Sequence, residues 1–202
     1  MIPGDMQEAD RDAMLRLKDG DDLAFNELMT RWQLPLVSFI QRYVGNEAEA
    51  LDLAQETFVR IYESRQRYKP KAKFSTWMFT IASNLCRNFF RWQKRHPAVS
   101  LDAPVSNGRT VLEGVGSSAA SPSDTAERDE LAAAVREQIH ALPHDLKTAV
   151  LLFEYEDLSY EEIAGVLGCS TKAVETRLYR ARKILSKQLT HWRAEGIYRK
   201  SC

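Results

Sequence analysis

The chain has 202 residues, 44% of them hydrophobic, with 28 basic and 28 acidic side chains. No apolar run approaches the roughly 20 residues of a membrane-spanning helix, and the N-terminus lacks the basic start and apolar stretch of a secretory signal. The three cysteines, Cys86, Cys169 and Cys202, are odd in number and far apart, which argues against a disulfide framework or a zinc site. We therefore expect a cytoplasmic globular protein.

The net charge of zero hides an alternation along the chain. Residues 1–56 carry 5 basic and 12 acidic residues, whereas residues 60–95 carry 10 basic residues and 1 acidic residue. Residues 124–162 carry 3 basic and 11 acidic residues, and residues 168–202 carry 9 basic and 2 acidic residues. Two basic segments, each preceded by an acidic one, indicate two contacts with a polyanion and protein contacts on the acidic parts.

The acidic first segment is predicted to form three helices. Apolar spacing indicates a short helix over 10–18, a long helix over 22–43 that Pro35 should kink, and a third helix over 47–63. The third helix has one apolar face, and on the other face Val59 stands among acidic and amide side chains. Periodicity alone favours a solvated surface there.

A basic loop over 65–73 leads into a predicted helix over 74–95 that is dense in aromatic, arginine and asparagine side chains. Aromatic residues at helical spacing usually form a core, but this run is longer than one helix face can bury. Ring faces beside cations are typical of proteins that bind single-stranded nucleic acid, because phosphates meet the cations and unpaired bases stack on the rings. The segment is therefore predicted to bind a single strand.

Residues 97–124 are rich in proline, serine, glycine and alanine and show no period, which predicts a flexible linker. They separate a first domain over 10–96 from a second over 125–192, and residues 193–202 form a tail without a motif. The predicted helices of the second domain cover 126–142, 145–155 and, as a pair joined by a tight turn, 159–192. Since no stretch alternates as strands do, the fold class is all-α, two small helical domains.

The final pair of helices has the pattern of a helix-turn-helix. Ser159 and Glu162 can form a capping box, Gly168 suits the left-handed residue that ends the first helix, and Ser170 or Thr171 can cap the second. One face of the second helix is apolar and comprises Val174, Leu178, Ala181 and Leu185. The opposite face carries cations, a hydroxyl and a phenol, which is the kind of surface that a DNA major groove accepts.

No catalytic constellation is visible. The chain lacks a glycine-rich phosphate loop and the HExxH and GxSxG motifs, and its histidines, His96, His140, His144 and His191, do not pair at metal-binding spacing. The sequence therefore predicts no catalytic residue, no metal, no cofactor and no small-molecule substrate.

Taken in order, several motifs resemble those of bacterial RNA polymerase sigma factors of the sigma-70 family. They are DLAQETF over 52–58, FSTWMFTIASN over 74–84, Leu142-Pro143, LSYEEIA over 158–164 and AVETRLYRAR over 173–182. The chain looks most like the small extracytoplasmic-function (ECF) group, which keeps only the domains called region 2 and region 4. The resemblance implies a transcription initiation factor that binds core RNA polymerase and directs it to promoters.

Three binding surfaces follow from this resemblance. Contact with core polymerase would involve Asp52, Gln55, Glu56 and Val59. The single-stranded −10 promoter element would meet Lys71, Lys73, Trp77, Asn84, Arg87, Asn88 and Arg91. Of these, Asn84, Arg87 and Asn88 would lie near a flipped base. The double-stranded −35 element would meet Ser170, Thr171, Lys172, Glu175, Thr176, Tyr179, Arg180 and Lys183.

The chain departs from the family pattern at two places. Its linker is long for this group, and many members place a basic residue where Glu175 stands, so the −35 sequence cannot be carried over. Glu175 has two interpretations: a contact with a base, or a salt bridge to Arg182 or Arg177. Members of the family are commonly held inactive by an anti-sigma factor, and the sequence does not identify such a partner.

Two other classes of protein fit part of the sequence. A helix-turn-helix regulator that binds duplex DNA without polymerase would explain residues 159–189, but not the aromatic and basic run. An enzyme with a nucleic-acid-binding module would need catalytic motifs that the sequence does not show.

Overall fold

The computed structural model describes residues 4–71, 73–96 and 122–189. The helices within these residues are α1 (Gly4–Lys18), α2 (Asp22–Val44), α3 (Glu47–Glu63), α4 (Phe74–Arg95), α5 (Pro122–His140), α6 (His144–Glu154), α7 (Tyr160–Leu167) and α8 (Thr171–Gln188). A short 3₁₀ turn, Arg65–Arg67, lies between α3 and α4. Since the described residues contain no strand, the all-α class is confirmed.

The helix ends follow the capping residues that the sequence indicates. In the capping box of α7, Ser159 Oγ accepts from the Glu162 amide at 3.3 Å, and the Glu162 carboxylate accepts from the Ser159 amide at 2.8 Å. Gly168 follows α7 with φ 62°, and Gly45 follows α2 with φ 78°. Both glycines adopt the left-handed conformation that closes a helix at little steric cost.

Some helix bounds differ from the predicted ones. Helix α1 begins at Gly4 rather than at residue 10, and α5 begins at Pro122, a residue whose fixed φ suits the first position of a helix. Pro35 lies inside α2, which continues to Val44. Helix α8 ends at Gln188 and Leu189 follows it as the C-cap, whereas residues 190–192 of the predicted helix lie outside the described residues. Most of the predicted linker and the whole predicted tail also lie outside them.

Helices α1 to α4 share an aromatic core, whose rings are almost fully buried: Trp32, Phe39, Tyr43, Phe74 and Phe79. The indole of Trp32 donates to the carboxylate of Asp10 at 3.1 Å, and Arg31 also pairs with that carboxylate. Because the Asp10 side chain is buried, both partners are needed to satisfy its oxygens. This polar cluster attaches α1 to α2.

Helices α5 to α8 form a second, mostly aliphatic layer. Its buried side chains include Leu151, Leu152, Ile163, Val174 and Leu178. The layer is not separate from the first, because α7 packs against α4 and α6 packs against α2. The helix-turn-helix therefore rests on the same helix that carries the aromatic and basic run.

Candidate nucleic-acid and polymerase interfaces

The outward side of α3 carries the residues predicted to bind core polymerase. Its buried side comprises Ala50, Ala54, Thr57, Phe58 and Ile61, so the predicted set of Asp52, Gln55, Glu56 and Val59 turns away from the core. Val59 is 49% exposed, and Leu51, beside Asp52, is 43% exposed. Leu51 was not selected from the sequence, although its position off the apolar stripe was a usable signal. Two exposed aliphatic side chains among acids form a mixed surface that suits a protein partner.

The aromatic rings of α4 are less exposed than the sequence analysis expected. Phe74 and Phe79 lie in the core, and Phe89 and Phe90 are half-buried. Trp77, predicted to meet the −10 strand, is also half-buried, with its ring centroid 5.4 Å from that of the buried Tyr68. Among the rings of α4 only Trp92 is exposed. The rings are therefore divided between core and surface, because α4 lies between α2 and α3 on one side and α7 on another.

A cleft of about 430 Å³ opens where α3, the 3₁₀ turn and α4 meet. Its lining comprises Arg60, Glu63, Ser64, Arg67, Ile81 and Asn84. Asn84 was predicted from the sequence, and the structure places it beside two arginines and a carboxylate that the sequence analysis did not select. Those residues come from a different helix and from the turn after it, so periodicity along α4 could not reveal them. The cleft combines amide, hydroxyl, carboxylate and guanidinium groups that can hydrogen-bond the edge of an unpaired base.

The other residues of the predicted −10 set fall into two groups. Lys71, Asn88 and Arg91 are exposed. Lys73 is exposed as well and Arg87 is half-buried, but both of these cations pair with carboxylates of the second layer of helices. Lys73 Nζ lies 2.7 Å from Glu162 Oε1, and Arg87 Nη2 lies 3.3 Å from Asp145 Oδ1.

Helix α8 presents the predicted −35 residues to solvent. Ser170 caps the helix by accepting from the Ala173 amide at 3.2 Å, and Thr171 is the first residue of the helix. The exposed residues of the set are Ser170, Thr171, Lys172, Glu175, Tyr179, Arg180 and Lys183, with Thr176 half-buried. The opposite stripe is buried at Val174, Leu178 and Ala181, as predicted. The helix therefore offers one continuous polar face.

The structure corrects one interpretation of Glu175. Its carboxylate pairs with Lys172 Nζ at 2.7 Å, not with Arg182 or Arg177. Arg177 donates to Asp145 at 3.0 Å and Arg182 donates to Glu154 at 3.3 Å. The Lys172–Glu175 pair is exposed, since its side chains retain 80% and 54% of their accessible surface. Exposed pairs of this kind contribute little free energy, so Glu175 is not fixed by its partner.

Among the described residues, no cluster of three or more His, Cys, Asp or Glu side chains could hold a metal ion. Within the same part of the chain, none of the helices is both long and apolar enough to span a bilayer. Cys86 is buried and Cys169 is half-buried, and both are free thiols. Burial raises the pKa of the Cys86 thiol to about 12. Both side chains therefore act as small packing residues, as the sequence indicated.

Two family models match the chain at the two places where these surfaces lie. The model described as Sigma-70 region 2 matches residues 28–96, which include α3, the cleft and α4. The model described as Sigma-70, region 4 matches residues 132–185, which include the helix-turn-helix. Together they cover more than half of the chain, so the chain belongs to the sigma-70 family and, by its two-region make-up, to the ECF type. It is a transcription initiation factor that binds core RNA polymerase and promoter DNA.

Comparison with individual proteins supports the same assignment. The chain is 35% identical over 187 residues to the RNA polymerase sigma-H factor of Pseudomonas aeruginosa, covering 91% of this chain and 95% of that protein. It is 34% identical to the ECF RNA polymerase sigma-E factor of Haemophilus influenzae, covering 91% and 96%. The structure of CnrH in complex with the cytosolic domain of CnrY is similar with a TM-score of 0.66 and 27% identity, covering 91% and 98%. A regulator that acts without polymerase, the first alternative, is thereby excluded.

Proposed function

We propose that the cleft beside Asn84 receives an unpaired base of the −10 element and so holds the promoter open. The observation that carries this proposal is the position of the Asn84 amide at the cleft, next to Glu63 and Ser64. An amide can donate and accept at once, and the neighbouring carboxylate can accept from the amino group of adenine or cytosine. The exposed Lys71, Asn88 and Arg91 would hold the strand on either side of that base.

Helix α8 would read the −35 element as a duplex. Its first nine residues include Lys172, Glu175, Thr176 and Tyr179, and the N-terminal part of a recognition helix is the part that meets base edges. Ser170, Thr171, Arg180 and Lys183 would hold the phosphates on both sides of the groove. The exposure of this face in the free chain supports the assignment.

The outward side of α3 would bind core polymerase through Asp52, Gln55, Glu56 and Val59. Glu56 already pairs with Arg60 at 2.7 Å, in an exposed pair that a partner could displace. We include Leu51 in this surface because it is exposed beside Asp52.

The chain would perform no catalytic step of its own, because polymerase supplies the chemistry. It would work in the cytoplasm, where core polymerase and promoters are found. We also propose that residues 10–96 and 125–192 act as two domains joined by 97–124, which would let one protein reach two promoter elements. An anti-sigma factor is the expected inhibitor, since one similar sigma factor structure, RpoE of Bartonella quintana, contains the anti-sigma factor NepR.

The test is transcription in vitro with purified core polymerase and fragmented genomic DNA of the same species. We expect transcripts whose start sites share a −10 and a −35 motif, and core polymerase alone should not produce them. Sequencing the transcript ends would define both motifs. If the added protein produced no start sites beyond those of core polymerase alone, the proposed division of labour would be wrong.

A further inference from the structure

We propose that the C-terminal end of α1 holds the 3₁₀ turn that forms one wall of the base cleft, and that Lys18 is therefore a positioning residue for reading the −10 base. The inference rests on the function proposed above for the cleft beside Asn84. It assigns a role to α1, which precedes the part of the chain matched as region 2. Lys18 itself does not line the cleft, so it would act only through the turn.

Lys18 exchanges two hydrogen bonds with the residues of the turn. Its ammonium donates to the carbonyl of Tyr68 at 3.1 Å, and its own carbonyl accepts from the side-chain amide of Gln66 at 2.8 Å. The first bond carries a positive charge, and charged hydrogen bonds are stronger than neutral ones. The second satisfies a carbonyl at the end of a helix, where no intrahelical donor is present. One residue of α1 thus contacts the turn at two points, although the two segments are far apart along the chain.

The side chain of Tyr68 fixes the same part of the backbone from another direction. Tyr68 follows the turn and is only 2% exposed, and its ring centroid lies 5.4 Å from that of Trp77 in α4. The carbonyl of Tyr68 is thereby held by α1, while its ring is held by α4. Because buried side chains in a close-packed core keep defined rotamers, the end of the turn has a defined position.

The beginning of the turn is attached to α3 and α2. Arg65 donates to the carbonyl of Tyr62 at 2.8 Å, and its guanidinium lies 4.2 Å from the centroid of the Tyr62 ring. The Tyr62 hydroxyl in turn donates to Asp22, the first residue of α2, at 3.0 Å. Ser64 and Arg67, which line the cleft, lie along the chain between this attachment and the one to α1. The wall of the cleft is therefore fixed at both of its ends.

Helix α1 is itself fixed, so it can support the turn. Its residues Met14 and Leu17 are fully buried in the aromatic core. Arg16 pairs with Asp21 at 3.1 Å and with Glu27 at 2.7 Å, across the corner between α1 and α2. Groups that recognise a ligand keep their geometry when the residues behind them are packed and hydrogen-bonded. The end of α1 provides that support for the cleft.

The position of Lys18 predicts an effect on base selection rather than on phosphate binding. Loosening the turn would displace Ser64 and Arg67 relative to Asn84, so an unpaired base would lose part of its hydrogen-bonding partners. Contacts with phosphates elsewhere on the surface would remain, and they carry no sequence information. A direct contact between Lys18 and the DNA backbone would have a different signature, because its loss weakens binding uniformly and makes the salt dependence shallower.

The experiment uses the full chain bound to core polymerase and a library of DNA duplexes with an unpaired segment of random sequence. Sequencing of the bound fraction gives the preference for each base at each unpaired position, and Asn84→Ala identifies the position that the cleft reads. Lys18→Met removes the ammonium and keeps a long side chain that favours a helix. We expect it to lower the preference at the Asn84 position by about 5-fold, the lower end of what one base contact contributes. Lys18→Arg, which retains a charged donor, should restore most of that preference.

Two controls separate positioning from charge. Arg11→Met removes one exposed cation of the same helix and should leave every base preference unchanged. In a chain that already carries Asn84→Ala, Lys18→Met should cause no further loss, because both changes act on one contact. An equal loss in the Lys18→Met and Arg11→Met chains, or a uniform loss at all positions, would overturn the proposal.

A second variant tests the same contact from the side of the turn. Gln66 is exposed, so Gln66→Ala should leave the fold intact, which thermal unfolding checks. We expect a loss of about 2-fold at the Asn84 position, because the hydrogen bond that it removes is neutral. Gln33→Ala, which removes an exposed amide of α2, is its control.

The outcomes distinguish the positioning role from the function of the cleft. If Asn84→Ala removed the preference but Lys18→Met and Gln66→Ala did not, the positioning role would be wrong and the cleft would still read a base. If Asn84→Ala left every preference intact, the function proposed for the cleft would fail, and the positioning role with it.

Discussion

Helices α8 and α4 carry the two surfaces proposed to bind promoter DNA, and these surfaces differ in how exposed they are. The polar face of α8 is free, with Tyr179 67% exposed and Lys172 80% exposed at its side chain. The corresponding side of α4 has Asn84 and Asn88 exposed, whereas Arg87 is paired with Asp145. The surface proposed to read the duplex is thus exposed in the free chain, while one cation of the proposed strand-binding surface is paired with a carboxylate of α6.

The difference follows from how each surface is built. The face of α8 lies on one amphipathic helix, so its residues need only the packing of Val174, Leu178 and Ala181 behind them. The strand surface is assembled from α3, the 3₁₀ turn and α4, and it adjoins the second layer of helices. The proposed strand surface therefore depends on contacts between several elements, whereas the face of α8 depends mainly on its own helix.

The largest expected effect comes from removing the attachment to polymerase, on which the proposed use of both DNA surfaces depends. Asp52→Lys with Glu56→Lys should weaken core binding by about 100-fold, because like charges across an interface cost several kcal/mol. Helix content should hardly change, since both side chains lie on the surface. A titration with core polymerase measures this. Glu8→Lys with Asp19→Lys, two exposed acids of α1 and its following turn, is the control with equal charge change.

The second prediction concerns the cleft, and it compares a residue of α4 that lines the cleft with one that does not. Asn84→Ala should reduce promoter opening by about tenfold, since a good base contact contributes about 1–3 kcal/mol. Gln93→Ala is the matched control, because Gln93 is an exposed amide of α4 that neither lines the cleft nor belongs to the predicted −10 set. Permanganate reactivity of unpaired thymines reports opening, and duplex capture should stay constant. Equal losses for both variants would argue that the cleft does not select the base.

Much of the duplex-reading surface could be predicted from the sequence, and the reason is local. The Ser159–Glu162 capping box, the left-handed Gly168 and the buried stripe of α8 all depend on residues within a few positions of each other. The strand surface could be predicted only in part. Asn84 was found from a motif, but Glu63, Ser64 and the pairing of Arg87 with Asp145 depend on which helices meet in space. The periodicity of one helix carries no information about which other helices pack against it.

A third prediction uses pH to test the contact between α2 and the segment that follows α6, where Glu156 pairs with Arg42. Burial raises the pKa of Glu156 to about 7, although Arg42 opposes this shift, and the neighbouring Asp157 and the nearby Arg31 are the other charged groups around it. In the unfolded chain the carboxyl has a pKa of about 4.3. Below that pH Glu156 is neutral in both states, so its burial does not lower the free energy of unfolding. Above that pH the destabilisation grows, and it levels off once the pH passes about 7.

Glu156→Gln should therefore stabilise the chain increasingly as the pH rises from 5 to 8, by about 1–2 kcal/mol at the upper end. Urea unfolding at several pH values measures the difference between the two chains. His144 and Lys147 also titrate, but they are present in both chains, so their contributions cancel in the difference. A difference that stayed constant with pH would mean that Glu156 is not buried in the contact.

The smallest expected effect lies on the free surface, at Glu175. Its exposed pair with Lys172 contributes at most about 0.5 kcal/mol, so the carboxylate can leave its partner when DNA binds. A carboxylate close to phosphates is unfavourable unless it accepts from a base donor such as the amino group of cytosine. We therefore expect Glu175→Ala to relax preference at one −35 position by about 1 kcal/mol, the lower end for a base contact, because the pair with Lys172 must first be broken. The measurement is binding of the full chain to a library of −35 duplexes, with Glu161→Ala as the control for loss of one charge. Uniformly tighter binding to every duplex would show instead that Glu175 only repels phosphates, and the duplex-reading face would then owe its selectivity to Lys172, Thr176 and Tyr179.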